Sequence, residues 1–138
     1  STNVIMGAAG STFTVTTTAT ITNGVTPIVL TGSYTITATA PVYYGVKAFS
    51  ATPDTSALAT ISSTATSFQM TTSVLGRMYI VTPLVTANIL SITDQNGLMY
   101  TVAGDFTVSV VGGLRYYILN YDTQLTGTNI KTFTLNFI

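Results

Sequence analysis

The sequence has no cysteine, no histidine, no tryptophan and no glutamate. Without cysteine there is no disulfide framework and no nucleophilic thiol. Without histidine the usual general base is missing, and with both absent the commonest ligands of transition metals are missing too. A Ser-His-Asp triad is therefore excluded, and the residue types present do not indicate an enzyme.

Charge is scarce as well. Charged residues make up 6% of the 138 residues and the formal net charge is zero, whereas soluble domains typically carry about 25% charged residues. Nothing would steer the chain toward phosphate backbones or anionic lipids, so we expect no nucleic-acid partner. Every apolar run is shorter than the roughly 18 residues that a spanning helix needs, so we expect no membrane insertion.

The four aspartates are the remaining candidates for carboxylate chemistry. Asp54, Asp94, Asp105 and Asp122 all stand in turn contexts, where an Asp side chain commonly hydrogen-bonds its own backbone. The DQNG segment at Asp94–Gly97 is similar to the start of a calcium loop, but the acidic residue that would close an EF-hand loop is missing. We therefore interpret it as a hairpin turn and predict no catalytic residue, no metal and no cofactor.

Threonine fills much of the sequence, with 30 of the 138 residues. Its branched side chain favours extended backbone, and its hydroxyl hydrates an outer face without charge. A surface solubilised in this way has little charge to screen or titrate. It suits a protein that works outside a cell.

Apolar residues alternate with hydroxyl residues between turn signals. The pattern predicts a strand from Phe13 to Ile21, a turn at Asn23–Gly24, a break at Gly32 and a long loop at Ser50–Thr66 with a helical turn near Thr55–Ala59. Period two between the glycine turns of Ile89–Tyr121 predicts antiparallel strands with one buried face and one wet face. The continuous apolar run Met78–Val81 instead predicts a strand buried on both faces.

These elements predict an all-β fold, an antiparallel β-sandwich of jelly-roll-like architecture. We expect residues 1–11 to form a flexible linker and residues 12–138 a single sandwich domain, with a possible sub-boundary near residue 41. The sub-boundary is considered because a threonine-dense segment gives way there to a tyrosine-rich one.

Aromatic side chains supply the candidate binding residues. The adjacent pairs Tyr43–Tyr44 and Tyr116–Tyr117 must each place one ring on either side of a strand. Outward rings either form stacking platforms for sugars and interface anchors, or cover a neighbouring layer or a subunit interface, and we favour the second interpretation for most of them. The predicted binding residues are Tyr43, Tyr44, Tyr116, Tyr117, Arg115 and Tyr121.

An ordered set of motifs from residue 41 onward resembles a domain at the C-terminal end of bacteriophage tail and fibre proteins. The motifs are PVYYGVKAF from Pro41, MYIVTP from Met78, ILSITDQNG from Ile89, DFTV from Asp105, YYILNY from Tyr116 and the closing FTLNF from Phe133. The resemblance implies a virion appendage, usually trimeric, that contacts the host surface. It transfers no catalytic residue.

Three functions follow as expectations. The first is a phage appendage domain, a homotrimer on the virion that attaches without covalent chemistry to a host surface glycan or protein. The second is a purely structural virion component, such as a head decoration, spike or tail connector, that binds other virion proteins. The third is a bacterial adhesin or carbohydrate-binding module.

Overall fold

The structure, a computed structural model, describes residues 12–23, 26–37, 40–71, 75–124 and 130–138. By their internal contacts the residues form two compact units, Ser1–Ala40 and Pro41–Ile138. The division falls beside the sub-boundary considered near residue 41. The linker predicted for residues 1–11 and the glycine of the predicted Asn23–Gly24 turn lie outside the described residues.

The first unit contains a long antiparallel hairpin. Its strands are β1 (Thr12–Asn23) and β2 (Thr26–Thr37), paired without a register shift from Thr12↔Thr37 to Asn23↔Thr26. The predicted break at Gly32 is wrong, because Gly32 pairs with Thr17 inside the ladder and its carbonyl accepts the Thr17 hydroxyl at 3.3 Å. The β-branched Thr31 before it and Thr17 opposite it favour extended backbone at this point.

The second unit is built from two antiparallel sheets, and the all-β sandwich prediction is confirmed. The larger sheet has the order β4-β3-β6-β10-β9, with β11 pairing the start of β6. Its strands are β3 (Val42–Lys47), β4 (Ala59–Ile61), β6 (Leu75–Pro83), β9 (Phe106–Val111), β10 (Leu114–Leu119) and β11 (Thr123–Gln124).

The smaller sheet has the order β5-β12-β7-β8. Its strands are β5 (Ser67–Met70), β7 (Ile89–Asp94), β8 (Met99–Thr101) and β12 (Lys131–Phe137), and one helical turn, α1 (Val102–Asp105), leads from β8 to β9. In the described ranges, no helix is long and apolar enough to cross a bilayer. The residue pattern also predicts a short strand at Ser67–Thr72 and a polar turn at Asp122–Asn129, of which Thr72 and residues 125–129 lie outside the described residues.

A core of aromatic and aliphatic side chains fills the space between the two sheets. Phe68 and Phe133 face each other across β5 and β12 with ring centroids 5.3 Å apart, and Tyr44 of the larger sheet reaches Phe68 at 4.7 Å. The other buried members come from both sheets: Val42, Met70, Met78, Ile80, Ile89, Ile92, Phe106, Tyr117, Leu119 and Leu135. Removing this apolar surface from water is the main source of sandwich stability.

The central strands of the larger sheet are buried on both faces. The apolar run Met78–Val81 in β6 predicts a strand buried on both faces, and all four residues are buried. For β10 the prediction of one wet face is wrong, because Tyr116 and Ile118 form a second buried cluster on the face that points away from the core, together with Tyr79 and Val81. A second covering layer must therefore exist.

The segment between β3 and β4 provides part of that layer. Leu58 packs against the second cluster, and the Ser50 N–H donates to the buried Tyr79 hydroxyl at 3.1 Å. The prediction of one long loop over Ser50–Thr66 is wrong in part, since β4 lies inside it and pairs with β3. At the predicted helical turn, the Leu58 N–H donates to the Thr55 carbonyl at 3.3 Å and no helix forms.

Gly76 lets β6 approach the end of β3. A Cβ added to Gly76 would lie 2.5 Å from the Lys47 carbonyl oxygen, a backbone atom that cannot move aside. We expect Gly76→Ala to lower the free energy of unfolding by about 2–3 kcal/mol, since overpacking forces backbone shifts. Urea denaturation measures this, with Gly32→Ala as control because its nearest contact would be 3.6 Å. Equal stability of the two variants would contradict the expectation.

Candidate functional site

The six predicted binding residues do not converge on one site. Tyr43 and Tyr116 lie on the outer face of the larger sheet, whereas Tyr44 and Tyr117 lie on its core face. The alternation predicted for the two adjacent pairs is thus present in the structure. The register runs Tyr43↔Val81↔Tyr116 in one row, and neighbouring residues along each strand point to opposite faces.

The outer tyrosines are covered by protein. Tyr116 is 5% exposed and packs in the second cluster, and Tyr43 lies partly buried against it. Burial, with smaller contributions from the Asp54 carboxylate and Tyr43, raises the pKa of Tyr116. These two outward rings pack against a covering layer, which is the interpretation favoured for most of the tyrosines.

An ion pair fastens the covering segment to the larger sheet. The Lys47 Nζ donates to Asp54 Oδ1 at 2.7 Å and to the Ser56 carbonyl at 3.0 Å, and it lies 5.5 Å from the Tyr79 ring centroid. Asp54 Oδ1 also accepts the Ser56 N–H at 2.8 Å and the Ser56 hydroxyl. The hydrogen bond from Lys47, followed by those from Ser56, holds the pKa of Asp54 at about 2.

The other carboxylates hold turns and connections together. Asp94 Oδ1 accepts the N–H groups of Asn96 and Leu98 at 2.8 and 2.9 Å, as expected for a hairpin turn. Asp105 Oδ2 accepts the Thr101 N–H at 2.8 Å across α1. In the described part of the chain, no three possible metal ligands come together.

Tyr117 joins the two sheets. Its ring is buried in the core, and its hydroxyl accepts the N–H of Ile89 at 3.1 Å, at the start of β7 in the opposite sheet. Tyr121 behaves differently, since it is 48% exposed and its hydroxyl donates to Asp105 Oδ1 at 3.3 Å. Burial, with the nearby Asp105 carboxylate, raises the pKa of Tyr121.

Arg115 lies at an apolar opening between the sheets, which we call the inter-sheet cleft. The cleft has a volume of about 290 Å³. One guanidinium nitrogen of Arg115 donates to the Thr86 carbonyl at 3.4 Å. The other lining residues are Asn88, Ile89, Leu90, Val102, Ala103, Val108, Tyr117 and Ile138.

A second opening, the Tyr44 groove, has a predominantly polar surface and a volume of about 270 Å³. The half-buried Tyr44, the buried Met70 and the exposed Gln69 and Thr71 line it. The remaining lining residues are Gly45, Val46, Ala57 and Ala59. The Gln69 amide donates to Thr132 Oγ1 at 3.3 Å, which leaves its carbonyl oxygen available to a ligand.

Sequence reasoning found Tyr44 of the Tyr44 groove and both Arg115 and Tyr117 of the inter-sheet cleft, and it missed the other lining residues. Tyr44 and Arg115 were selected as an aromatic residue and a cation. Gln69 and Ala103 carry no local signal, because the walls combine segments that are distant in sequence and meet only through sheet pairing.

Comparison with known proteins gives no assignment. No protein-family model, no curated protein and no solved structure matches the chain. The resemblance to phage appendage domains therefore stays a prediction from the motifs.

The Lys47–Asp54 ion pair makes stability depend on pH. The pKa of Asp54 is about 2 in the folded chain and has an ordinary value of 3.8. The ionised carboxylate therefore stabilises the fold fully above pH 4, and this contribution is lost as the pH falls toward about 2. In urea unfolding from pH 6 to pH 2, we expect Asp54→Asn to reduce the decline in this window.

Asp122→Asn is the matched control. Asp122 is 53% exposed and lies 3.8 Å from Arg77, a longer ion pair than that of Asp54. This variant should keep the decline of the wild-type protein. The expectation is contradicted if Asp54→Asn loses stability between pH 4 and pH 2 as steeply as the control.

Proposed function

We propose that this chain is the attachment domain of a bacteriophage virion appendage, which holds a glycan of the host surface by non-covalent contact. The ordered motifs from Pro41 to Phe137 support the appendage assignment through their resemblance to phage tail and fibre domains. The absence of histidine and cysteine supports a role in contact and not in turnover. In this proposal the domain acts on the outer surface of the virion.

The observation that carries the proposal is the Tyr44 groove. Sugars present C–H faces that pack on aromatic rings, and hydroxyls that bond to amide and hydroxyl groups. The groove combines these partners, with the half-buried Tyr44 beside exposed Gln69 and Thr71. The small side chains of Ala57 and Ala59 also line the groove.

The groove is held by rigid parts of the fold. Tyr44 is fixed by its ring contact with Phe68 at 4.7 Å, and Ala59 belongs to a strand that pairs with β3. A site whose side chains are already in place loses little entropy on binding. Affinity for each sugar can then be modest and still give firm attachment when several copies act together.

Glycan binding is tested with purified chain on an array of bacterial surface oligosaccharides, followed by competition with phage adsorption. We expect Gln69→Ala to weaken binding by about three- to tenfold, since one hydrogen bond is lost. The control Thr107→Ala removes an exposed hydroxyl from β9, at the other edge of the larger sheet, and should leave binding unchanged. No bound glycan together with unaffected adsorption would contradict the proposal.

The alternative, a structural virion component that binds other virion proteins, is supported by the hairpin of the first unit. Its register places Ile21 opposite Ile28 and Ala19 opposite Leu30 on one face, and Ile21, Ile28 and Leu30 are each more than 50% exposed. A two-stranded hairpin is marginally stable in water by itself. A second copy or another virion protein would cover this apolar face. Immunogold labelling of tail or head separates the two functions.

The same hairpin face supports the expected homotrimer. We expect the wild-type chain to sediment as a trimer and the double variant Ile28→Lys/Leu30→Lys to sediment as a monomer, because charge on the apolar face prevents its burial. Thr31→Lys is the control, since Thr31 lies on the opposite face of the ribbon. A monomeric wild-type chain, or a trimeric double variant, would contradict this expectation.

A further inference from the structure

We propose that the inter-sheet cleft binds a small amphiphile, with its alkyl chain between the sheets and its anionic head on Arg115. The site lies at the β9 and β10 side of the sandwich, away from the Tyr44 groove on β3, β4 and β5. Binding of an amphiphile in the inter-sheet cleft therefore does not depend on glycan binding in the Tyr44 groove.

The walls of the cleft are suited to an alkyl chain. Tyr117 and Ile89 close the inner end, where the tyrosine hydroxyl is already occupied by the Ile89 N–H. Leu90 and Val108 line the opening from opposite sheets and are 57% and 42% exposed. An alkyl chain between them would remove apolar surface from water on both sides, and each buried CH2 is favourable.

Arg115 supplies the charge. It is half-buried and faces the cleft, and neither ion pair in the described part of the chain includes it. Its one side-chain hydrogen bond within that part goes to the Thr86 carbonyl at 3.4 Å. A guanidinium has five N–H donors in a planar fork, so donors remain for a carboxylate or phosphate.

The dimensions limit the ligand to a small molecule. The volume of about 290 Å³ is near the lower end of the roughly 300–1,000 Å³ found for ligand sites. A single short alkyl chain therefore fits better than a two-chain lipid. An alkyl carboxylate and an alkyl phosphate share the required chemistry, and they represent a free fatty acid and a phosphate monoester as sources.

The first test compares four eight-carbon probes on the wild-type chain by isothermal titration calorimetry below their micelle concentrations. Octanoate and octyl phosphate carry an anionic head, octanol is neutral and octyltrimethylammonium is cationic. We expect at least one anion to bind about tenfold or more tightly than octanol, since charge-assisted hydrogen bonds are the stronger ones. The preference between the two anions identifies the source.

The second test uses two exposed valines of β9. Val108→Glu places a carboxylate in the cleft, where it competes for Arg115, and should abolish binding of the anionic probe. Val111→Glu adds the same charge on the opposite face of the strand and should leave binding unchanged. Arg115→Gln should reduce affinity for the anion to that for octanol.

Three results would overturn the proposal. These are no measurable binding of either anion at millimolar concentration, octanol binding as tightly as the anions, or equal effects of Val108→Glu and Val111→Glu. The probe series on the wild-type chain decides the question even if a variant fails to fold. Circular dichroism of each variant identifies such a failure. Because the readout is alkyl-anion binding, its failure is distinct from a failure to bind glycans.

Discussion

Burial of both faces of β6 and β10 is the constraint on which the rest of the sandwich depends. These strands occupy the middle of the larger sheet, so one set of side chains enters the core and the alternate set needs a second cover. The segment between β3 and β4 contributes to that cover through Leu58 and the hydrogen bond from Ser50 to Tyr79. The segment between β3 and β4 thereby forms part of the layer that covers the outer face of the larger sheet.

Several of the few ionisable side chains have structural roles. Lys47 and Asp54 fasten the covering segment, while Asp94 and Asp105 satisfy backbone N–H groups at turns. Three of the four aspartates thus accept hydrogen bonds within the fold.

The two candidate binding surfaces lie at the edges of the sandwich. The Tyr44 groove lies where β3 and β4 approach β5, and the inter-sheet cleft lies where β9 and β10 approach β7. The two differ in chemistry, since one has a predominantly polar surface and the other is apolar with a single cation. The proposed glycan site and the proposed amphiphile site are therefore separate places on the sandwich, and each can be tested without the other.

The sequence by itself determined the strand content, the hairpin turn at Asp94 and the opposite orientation of adjacent tyrosines. These properties depend on local backbone preference and on the period of two along a strand. Only the tertiary structure decided that Tyr116 is covered, that β4 pairs inside the predicted loop and that Arg115 borders a cleft. Each of these depends on which distant strands lie side by side, and alternation along one strand is the same whether its outer face meets water or another layer.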